Sequence, residues 1–212
     1  MKPYRKCQGY PIVARALGIS GEARSRGIRA AMALLSHGRP LSLILPGLLL
    51  FCRALSADGL SEGQIKAAYL YNFAKFVEWP AESLPAGAEI VLCKVGNDEL
   101  DGALRALDGR KAGERELRVV QHSHDTFDPS GCHLLFLGSS EQQRFVMTLK
   151  ALGNAPVLTL SDIGDFAEKG GGIGLLFREN KVVFEVNLEA IRNAGLHVPG
   201  QLLNIAFYVY GR

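Results

Sequence analysis

The stretch "AEIVLCKVG", residues 88–96, decides how this chain folds, because it is apolar over most of its length. A strand that alternates apolar and polar residues has one solvated face, whereas a continuous apolar run is typical of a parallel strand covered on both faces. The stretches "CHLLFLG", residues 132–138, and "APVLTLS", residues 155–161, have the same character. The sequence therefore predicts several buried strands that lie parallel in one sheet.

Helical signals lie between these strands. Residues 61–64, Ser-Glu-Gly-Gln, form a capping box, so a helix is predicted from there to Pro80, which ends it. The remaining elements are predicted as helices after the cap Asn97 and over residues 140–152 and 162–170, and as a strand over residues 116–121. Strands that alternate with helices predict an α/β fold, with a mainly parallel sheet and helices on both of its faces.

The order of elements changes near the C-terminus. The stretch "IGLLFRENKVVFEVN", residues 173–187, has two apolar runs around a Glu-Asn pair at 179–180, which predicts one antiparallel hairpin at the edge of the sheet. Asn187 is predicted to cap a helix over "LEAIRNAG", and Pro199 to open a last helix over "GQLLNIAFYVYG". No linker or repeat interrupts residues 58–212, which are predicted to form a single α/β domain.

The first 57 residues do not share this pattern. Residues 1–31 carry seven Lys or Arg against a single Glu, without periodicity, and are predicted to be a non-native or disordered basic extension. Residues 32–57 contain a short apolar run after Arg39 and small residues beyond it, which is the layout of a cleaved secretory signal peptide. The weaker alternatives are a transmembrane helix, for which the run is too short, a lipid anchor at Cys52, and a nucleic-acid-binding tail.

Without these segments the charge changes sign. Of the 24 Lys and Arg, nine precede Asp58, and of the 21 Asp and Glu, one does, so 15 basic and 20 acidic residues remain and the net charge becomes −5 instead of +3. An acidic domain has no bulk attraction for nucleic acid, so no nucleic-acid partner is predicted.

Two cysteines also remain, Cys93 and Cys132, which in an exported domain indicate one disulfide; two buried free thiols are the alternative.

The first predicted helix, "KAAYLYNFAKFVEWP" at residues 66–80, contains five aromatic residues. Its main apolar stripe has helical spacing and is predicted to pack on the sheet. The residues of this stripe are Ile65, Tyr69, Phe73, Phe76 and Val77. Because Leu70, Tyr71 and Trp79 lie outside the stripe, a second apolar contact, with another subunit or with a ligand, is expected. A homodimer is therefore predicted.

The strongest chemical cluster is "HSHDTFDPSGCH", residues 122–133, which holds His, Asp and Cys side chains of the kinds that bind zinc. Few histidines lie elsewhere in the predicted domain, so neither a metal site nor a cofactor is predicted.

The stretch "GGGIG" at 170–174 lacks the Lys-Ser/Thr ending of a phosphate loop and is predicted to be a turn. Ser139 and Ser140 follow a strand without a nucleophile elbow. No catalytic residues are predicted, and the protein is not expected to be an enzyme.

Residues 65–206 resemble the YfiR family of periplasmic proteins. The resemblance is carried by the aromatic helix ending in Trp-Pro, by "IVLCKVG", by "VLTLSDIGDFAEKGGGIGLLF" and by "NKVVFEVNLEAIRNAGLHVPGQLLNIA", which recur in the same order and spacing. It implies a periplasmic, non-enzymatic regulator that binds the periplasmic domain of an inner-membrane diguanylate cyclase and represses it, which lowers cyclic-di-GMP and biofilm formation. It also implies a second partner, an OmpA-like outer-membrane lipoprotein that sequesters the regulator.

The resemblance also implies roles for particular residues. Cys93 and Cys132 lie where the family has a structural disulfide. Glu185 and Ile191 match positions implicated in contact with the cyclase, and Val183 is expected to add apolar contact beside them. Some relatives have a second cysteine pair where this chain has Ala167 and Gly174, so control through that pair is excluded here. A periplasmic small-ligand-binding protein is the alternative function, because an open parallel sheet offers a crevice at its strand ends.

Overall fold

The computed structural model describes residues 60–97, 99–123 and 127–212. The predicted basic extension at 1–31 and the predicted signal peptide at 32–57 lie outside these residues, as do positions 124–126 of the histidine-rich loop. Within the described parts of the chain, no helix combines the length and the apolar character needed to cross a membrane.

The described residues form eight strands, five α-helices and a short 3₁₀ helix at Ser139–Glu141. The strands are β1 (Ile90–Val95), β2 (Lys111–Ala112), β3 (Arg115–His122), β4 (Leu134–Leu137), β5 (Leu158–Ser161), β6 (Ile173–Arg178), β7 (Lys181–Asn187) and β8 (Tyr208–Tyr210). The helices are α1 (Glu62–Phe76), α2 (Asp101–Arg105), α3 (Phe145–Leu152), α4 (Leu188–Asn193) and α5 (Gly200–Ile205).

All eight strands belong to one sheet, in the order β2-β3-β1-β4-β5-β6-β7-β8. The five strands β3, β1, β4, β5 and β6 run parallel to one another, which confirms the predicted α/β class and the mainly parallel sheet. The apolar runs explain their position, since every residue of β4 and β5 is buried. Leu134 and Phe136 of β4 join a cluster that includes α1, while Leu135 and Leu137 join a second cluster that includes Phe145 of α3.

The predicted hairpin is present, but it does not lie at the edge of the sheet. Strands β6 and β7 are antiparallel and turn at Glu179 and Asn180, whose φ angles are 49° and 60°. Strand β8 pairs parallel with the outer side of β7 and forms the edge itself. A second antiparallel pair, β2 and β3, lies at the opposite edge. The prediction of one antiparallel pair at an edge was therefore wrong, because the last helix ends at Ile205 and the following residues extend into a strand.

Four helix predictions also differ from the structure. The helix predicted over residues 140–152 begins only at Phe145, after the 3₁₀ helix. The capping box at Ser61 is confirmed, but α1 ends at Phe76, before Pro80. Asn97 does not cap α2; its backbone N–H donates to Ser140 Oγ at 3.1 Å, and α2 begins at Asp101 without a side-chain cap. Residues 162–170 form turns instead of a helix.

The apolar residues outside the main stripe of α1 find partners inside the domain. The Tyr71 hydroxyl donates to the Lys111 carbonyl at 2.7 Å, and Trp79 Nε1 donates to the His133 carbonyl at 3.2 Å. Leu70 is fully buried in the same cluster as the sheet. Much of the surplus apolar surface on which the homodimer prediction rested is therefore used within one chain, and the homodimer stays a prediction.

Candidate functional site

Strand β7 carries two of the three predicted partner-contact residues on one face of the sheet. Its other face packs against α1: the ring of Phe184 lies 5.2 Å from the ring of Phe73, centroid to centroid. Successive side chains of a strand point to opposite faces. Val183 and Glu185 therefore face away from α1, and we call this side of β6, β7 and β8 the open face.

Glu185 is an acid in an otherwise apolar part of the strand. Its side chain is only 8% exposed, and its Oε2 accepts a hydrogen bond from the Tyr210 hydroxyl at 3.3 Å. Burial raises the pKa of the Glu185 carboxyl above its ordinary value, although the bond from Tyr210 and the charge of Arg178 act in the opposite direction. Burial and the charge of Glu185 in turn raise the pKa of Tyr210 to about 12. The fold therefore holds a carboxylate where its ionised form is disfavoured.

The third predicted contact residue is placed differently. Val183 is half-buried on the open face, whereas Ile191 of α4 is only 2% exposed and belongs to the main core cluster. The structure thus brings Val183 and Glu185 together but directs Ile191 into the core. The contact of Val183 and Glu185 with a partner stays a prediction, whereas the burial of Ile191 leaves little of its side chain for the direct apolar contact that was predicted.

Sequence reasoning missed two residues of the open face. Tyr208 and Tyr210 of β8 lie opposite Glu185 and Asn187 of β7 in the strand register, and their rings are 4.6 Å apart, centroid to centroid. Tyr208 is 39% exposed. The alternation Tyr-Val-Tyr at residues 208–210 favours a strand, but these residues were predicted to form the end of the last helix.

Cys93 and Cys132 form a disulfide, with their Cα atoms 5.8 Å apart. Cys93 lies in β1, and Cys132 lies two residues before β4, the strand that pairs with β1. Both are buried in the second core cluster. The disulfide prediction is confirmed, and the alternative of two free thiols is excluded.

Residues 63–207 match the family described as YfiR/HmsC-like, which is more than half of the chain. The chain belongs to the YfiR/HmsC-like family. Its members are periplasmic regulators of diguanylate cyclase signalling and are not enzymes. A similar solved structure is that of a conserved domain protein from Vibrio cholerae O1 biovar El Tor str. N16961, with 13% identity and a TM-score of 0.44 over 71% of this chain. The match spans 60% of that protein's length.

The histidine-rich loop contributes little to a metal site in this YfiR/HmsC-like chain. Among the described residues, one group of three potential ligands comes together, Cys93, Cys132 and His122, with ligand atoms within 4.8 Å of one another. The two sulfurs are bonded to each other and so do not offer thiolates. The ring of His122 packs edge-on against Phe127 at 5.7 Å. His124 and Asp125 lie outside the described residues.

The carboxyl ends of the parallel strands enclose a cavity of about 240 Å³. Lys66 of α1 lies within it, with Nζ 2.6 Å from Glu62 and 2.8 Å from Asp162. Burial alone would lower the pKa of Lys66, but the hydrogen bonds and charges of Asp162 and Glu62 together raise it. In the sheet, β3 and β4 lie on opposite sides of β1, so the direction in which the chain adds strands reverses at β1. Open α/β sheets bind ligands in the crevice at such a reversal.

Proposed function

We propose that this protein binds the periplasmic domain of an inner-membrane diguanylate cyclase and represses it, which lowers cyclic-di-GMP and biofilm formation. Membership of the YfiR/HmsC-like family over residues 63–207 supports a periplasmic regulator of this signalling. The observation that carries the proposal is the position of Glu185, an acid held at 8% exposure on the open face of β7.

Burial of the Glu185 carboxylate lowers the stability of the domain. Because its pKa is raised, the ionised carboxylate destabilises the domain at neutral pH. Proteins retain groups of this kind mainly where function requires them, and a buried carboxyl with a perturbed pKa is therefore a candidate functional residue. A complementary charge on a partner would compensate for the lost hydration of the carboxylate. Binding would therefore offset the destabilisation that the buried carboxylate causes in the free domain.

Repression of this kind needs no chemistry in the regulator. A protein that binds the inactive conformation of the cyclase more tightly shifts the population toward that conformation. A hundredfold preference corresponds to about 2.7 kcal/mol, which one well-placed charge contact and a few apolar contacts can supply.

The experiment that tests the proposal measures cyclic-di-GMP in cells that lack the gene, with and without residues 58–212 resupplied to the periplasm. We expect the concentration to rise on deletion and to fall again when the domain is restored. An unchanged concentration in the deletion strain would overturn the proposed function.

The variant Glu185→Lys should release the cyclase. It places a cation where the proposal has an anionic contact, and loss of a buried charge contact costs about 2 kcal/mol or more of binding free energy. Cyclic-di-GMP should then reach the concentration of the deletion strain. Glu114→Lys is the matched control, because Glu114 is exposed in the turn between β2 and β3, at the opposite edge of the sheet; it should repress normally.

Folding of the variants is checked by circular dichroism and thermal unfolding. Should Glu185→Lys fail to fold, Glu185→Gln removes the charge while its amide oxygen can still accept the Tyr210 hydroxyl. We expect weaker repression and an unfolding temperature at pH 7 at least as high as that of the unaltered domain. Normal repression by the folded Gln variant would show that Glu185 is not a charged anchor.

Two further partners belong to the proposal. An OmpA-like outer-membrane lipoprotein would sequester the regulator and so free the cyclase, which predicts that lipoprotein and cyclase compete for the domain. A homodimer is the proposed assembly, with Phe76 as an exposed apolar residue of α1.

A small-ligand-binding protein is the second candidate function. The cavity at the strand ends favours it, because charged side chains, Glu62, Lys66 and Asp162, converge on a crevice of about 240 Å³. Calorimetry with nucleotides and aromatic amino acids tests this candidate. Saturable binding that Lys66→Met abolishes would support it, and absence of heat from every ligand would count against it.

A further inference from the structure

We propose that the partner-binding surface extends to the C-terminal strand β8, where Tyr208 and Tyr210, with Glu185 and Glu168, receive a lysine or arginine side chain of the cyclase module. This inference rests on the proposed function and names the residues and the side-chain chemistry of the contact. It concerns residues 165–168 and 208–210, for which the sequence predicts no partner contact.

The strand register brings the tyrosines to the open face. Tyr208 lies opposite Glu185, and Val209 between the tyrosines packs against the core cluster that includes α1. Alternation along the strand therefore directs both tyrosine rings to the same side as Glu185. The Tyr210 hydroxyl donates to the Glu185 carboxylate, which fixes the second ring beside that carboxylate. The open face thus has two aromatic rings beside a buried acid.

A turn on the other side of Glu185 adds further negative charge. Asn187 Nδ2 donates to the Ala167 carbonyl at 2.8 Å, which ties the turn to β7. This attachment brings Glu168 and Asp165 close enough for their charges to raise the pKa of Glu185. Glu168 is exposed, so its carboxylate can meet a partner directly.

A lysine and an arginine side chain near this turn offset part of its negative charge. Lys169 Nζ lies 3.5 Å from Asp165, and the guanidinium of Arg178 lies over the ring of Phe207 at 5.0 Å. The charge of Arg178 reaches Glu185 and opposes the rise in its pKa that burial causes, but the three carboxylates Asp165, Glu168 and Glu185 outnumber these two cations. The surroundings of Glu185 and Glu168 therefore keep a negative potential that a partner's cation would complement.

These features match a cationic side chain flanked by apolar residues. The face of a tyrosine ring attracts ammonium and guanidinium groups, and nearby carboxylates reinforce the attraction. Leu176 of β6 and Val183 of β7 lie opposite each other beside the tyrosines and offer apolar contact. A second copy of this chain fits the surface poorly, because a two-fold axis would place the same acidic patch on both sides.

The test measures the dissociation constant between the purified domain, residues 58–212, and the purified periplasmic module of the cyclase by calorimetry. Tyr208→Ser should weaken binding about tenfold, whereas Tyr208→Phe, which keeps the ring, should bind like the unaltered domain. Phe177→Ser is the matched control, because Phe177 is 52% exposed in the same hairpin but lies opposite Val182, on the other face of the sheet. It should change binding less than twofold.

A second comparison tests the charge. Glu168→Gln should weaken binding severalfold at 0.05 M salt, with a smaller difference at 0.5 M salt because ions screen the attraction. Glu114→Gln, at the far edge of the sheet, should have no effect. If the unaltered domain does not bind the module, both the proposed function and this inference are overturned. If it binds but Tyr208→Ser binds equally well, only the inference is overturned.

Discussion

At the scale of single residues, His133 shows how one side chain joins three parts of the fold. Its Nδ1 accepts a hydrogen bond from the Val91 backbone N–H at 3.0 Å. Since that N–H can only donate, Nε2 carries the proton and donates to the Ser83 carbonyl at 3.1 Å. Burial lowers the pKa of His133, and the charge of Arg115 lowers it further, while the bond to Ser83 opposes the shift. The imidazole is therefore held neutral.

This geometry predicts how stability depends on pH. When the pH falls below about 6.5, an unfolded chain binds a proton at this histidine that the folded chain resists, so the free energy of unfolding decreases until the folded-state pKa is passed. His133→Gln can replace both hydrogen bonds without titrating, so urea unfolding between pH 7 and pH 5 should show a smaller decrease. His197→Gln, at an exposed position, is the matched control. Equal slopes in all three proteins would contradict this role of His133.

At the scale of elements, α1 is an apolar helix whose buried residues pack against the sheet. Phe73 is fully buried and contacts the rings of Tyr69 and Phe184, whereas Phe76, one turn further, is 37% exposed. Removing a buried ring loses its transfer free energy and leaves a cavity. Phe73→Ala should therefore lower the free energy of unfolding by about 3–5 kcal/mol.

Phe76→Ala is the matched control on the same helix, and we expect a change of less than about 1 kcal/mol. Urea unfolding measured under identical conditions compares the two variants. Similar losses from both would contradict this difference in burial between Phe73 and Phe76.

At the scale of the whole molecule, the disulfide joins two segments that are 39 residues apart in the sequence. On the chain-entropy model, closing this loop stabilises the domain by at most about 4 kcal/mol. Reduction by dithiothreitol should therefore lower the urea midpoint of the unaltered domain. The double variant Cys93→Ala/Cys132→Ala should start from the lower midpoint and should not respond to the reductant. A midpoint that reduction leaves unchanged would show that the sheet holds these strands without the bridge.

Much of the fold was predictable because its signals are local. The apolar runs of β1, β4 and β5, the capping box at Ser61 and the turn at 179–180 each depend on a few neighbouring residues. Two predictions failed where distant contacts decided the outcome. Residues 208–210 form a strand because β7 offers them an unpaired edge, and Asn97 bonds to Ser140, which is 43 positions away.

The candidate site was also predictable only in part from the sequence. The resemblance to the YfiR family pointed to Glu185, and the number of cysteines pointed to Cys93 and Cys132. The sequence contained no sign that Tyr210 would bond to Glu185, or that Ala167 would attach an acidic turn beside it. The burial of Ile191 also depends on how α4 packs, which helical spacing alone does not specify.

The sequence by itself determined the α/β class, the buried parallel strands and the cap of α1, because hydrophobic periodicity and capping act between residues that are close along the chain. The tertiary structure alone decided which edge β8 joins, which groups surround Glu185 and which apolar residues of α1 remain exposed. These outcomes depend on desolvation and on hydrogen bonds between distant segments, and those contacts exist only after the sheet has assembled.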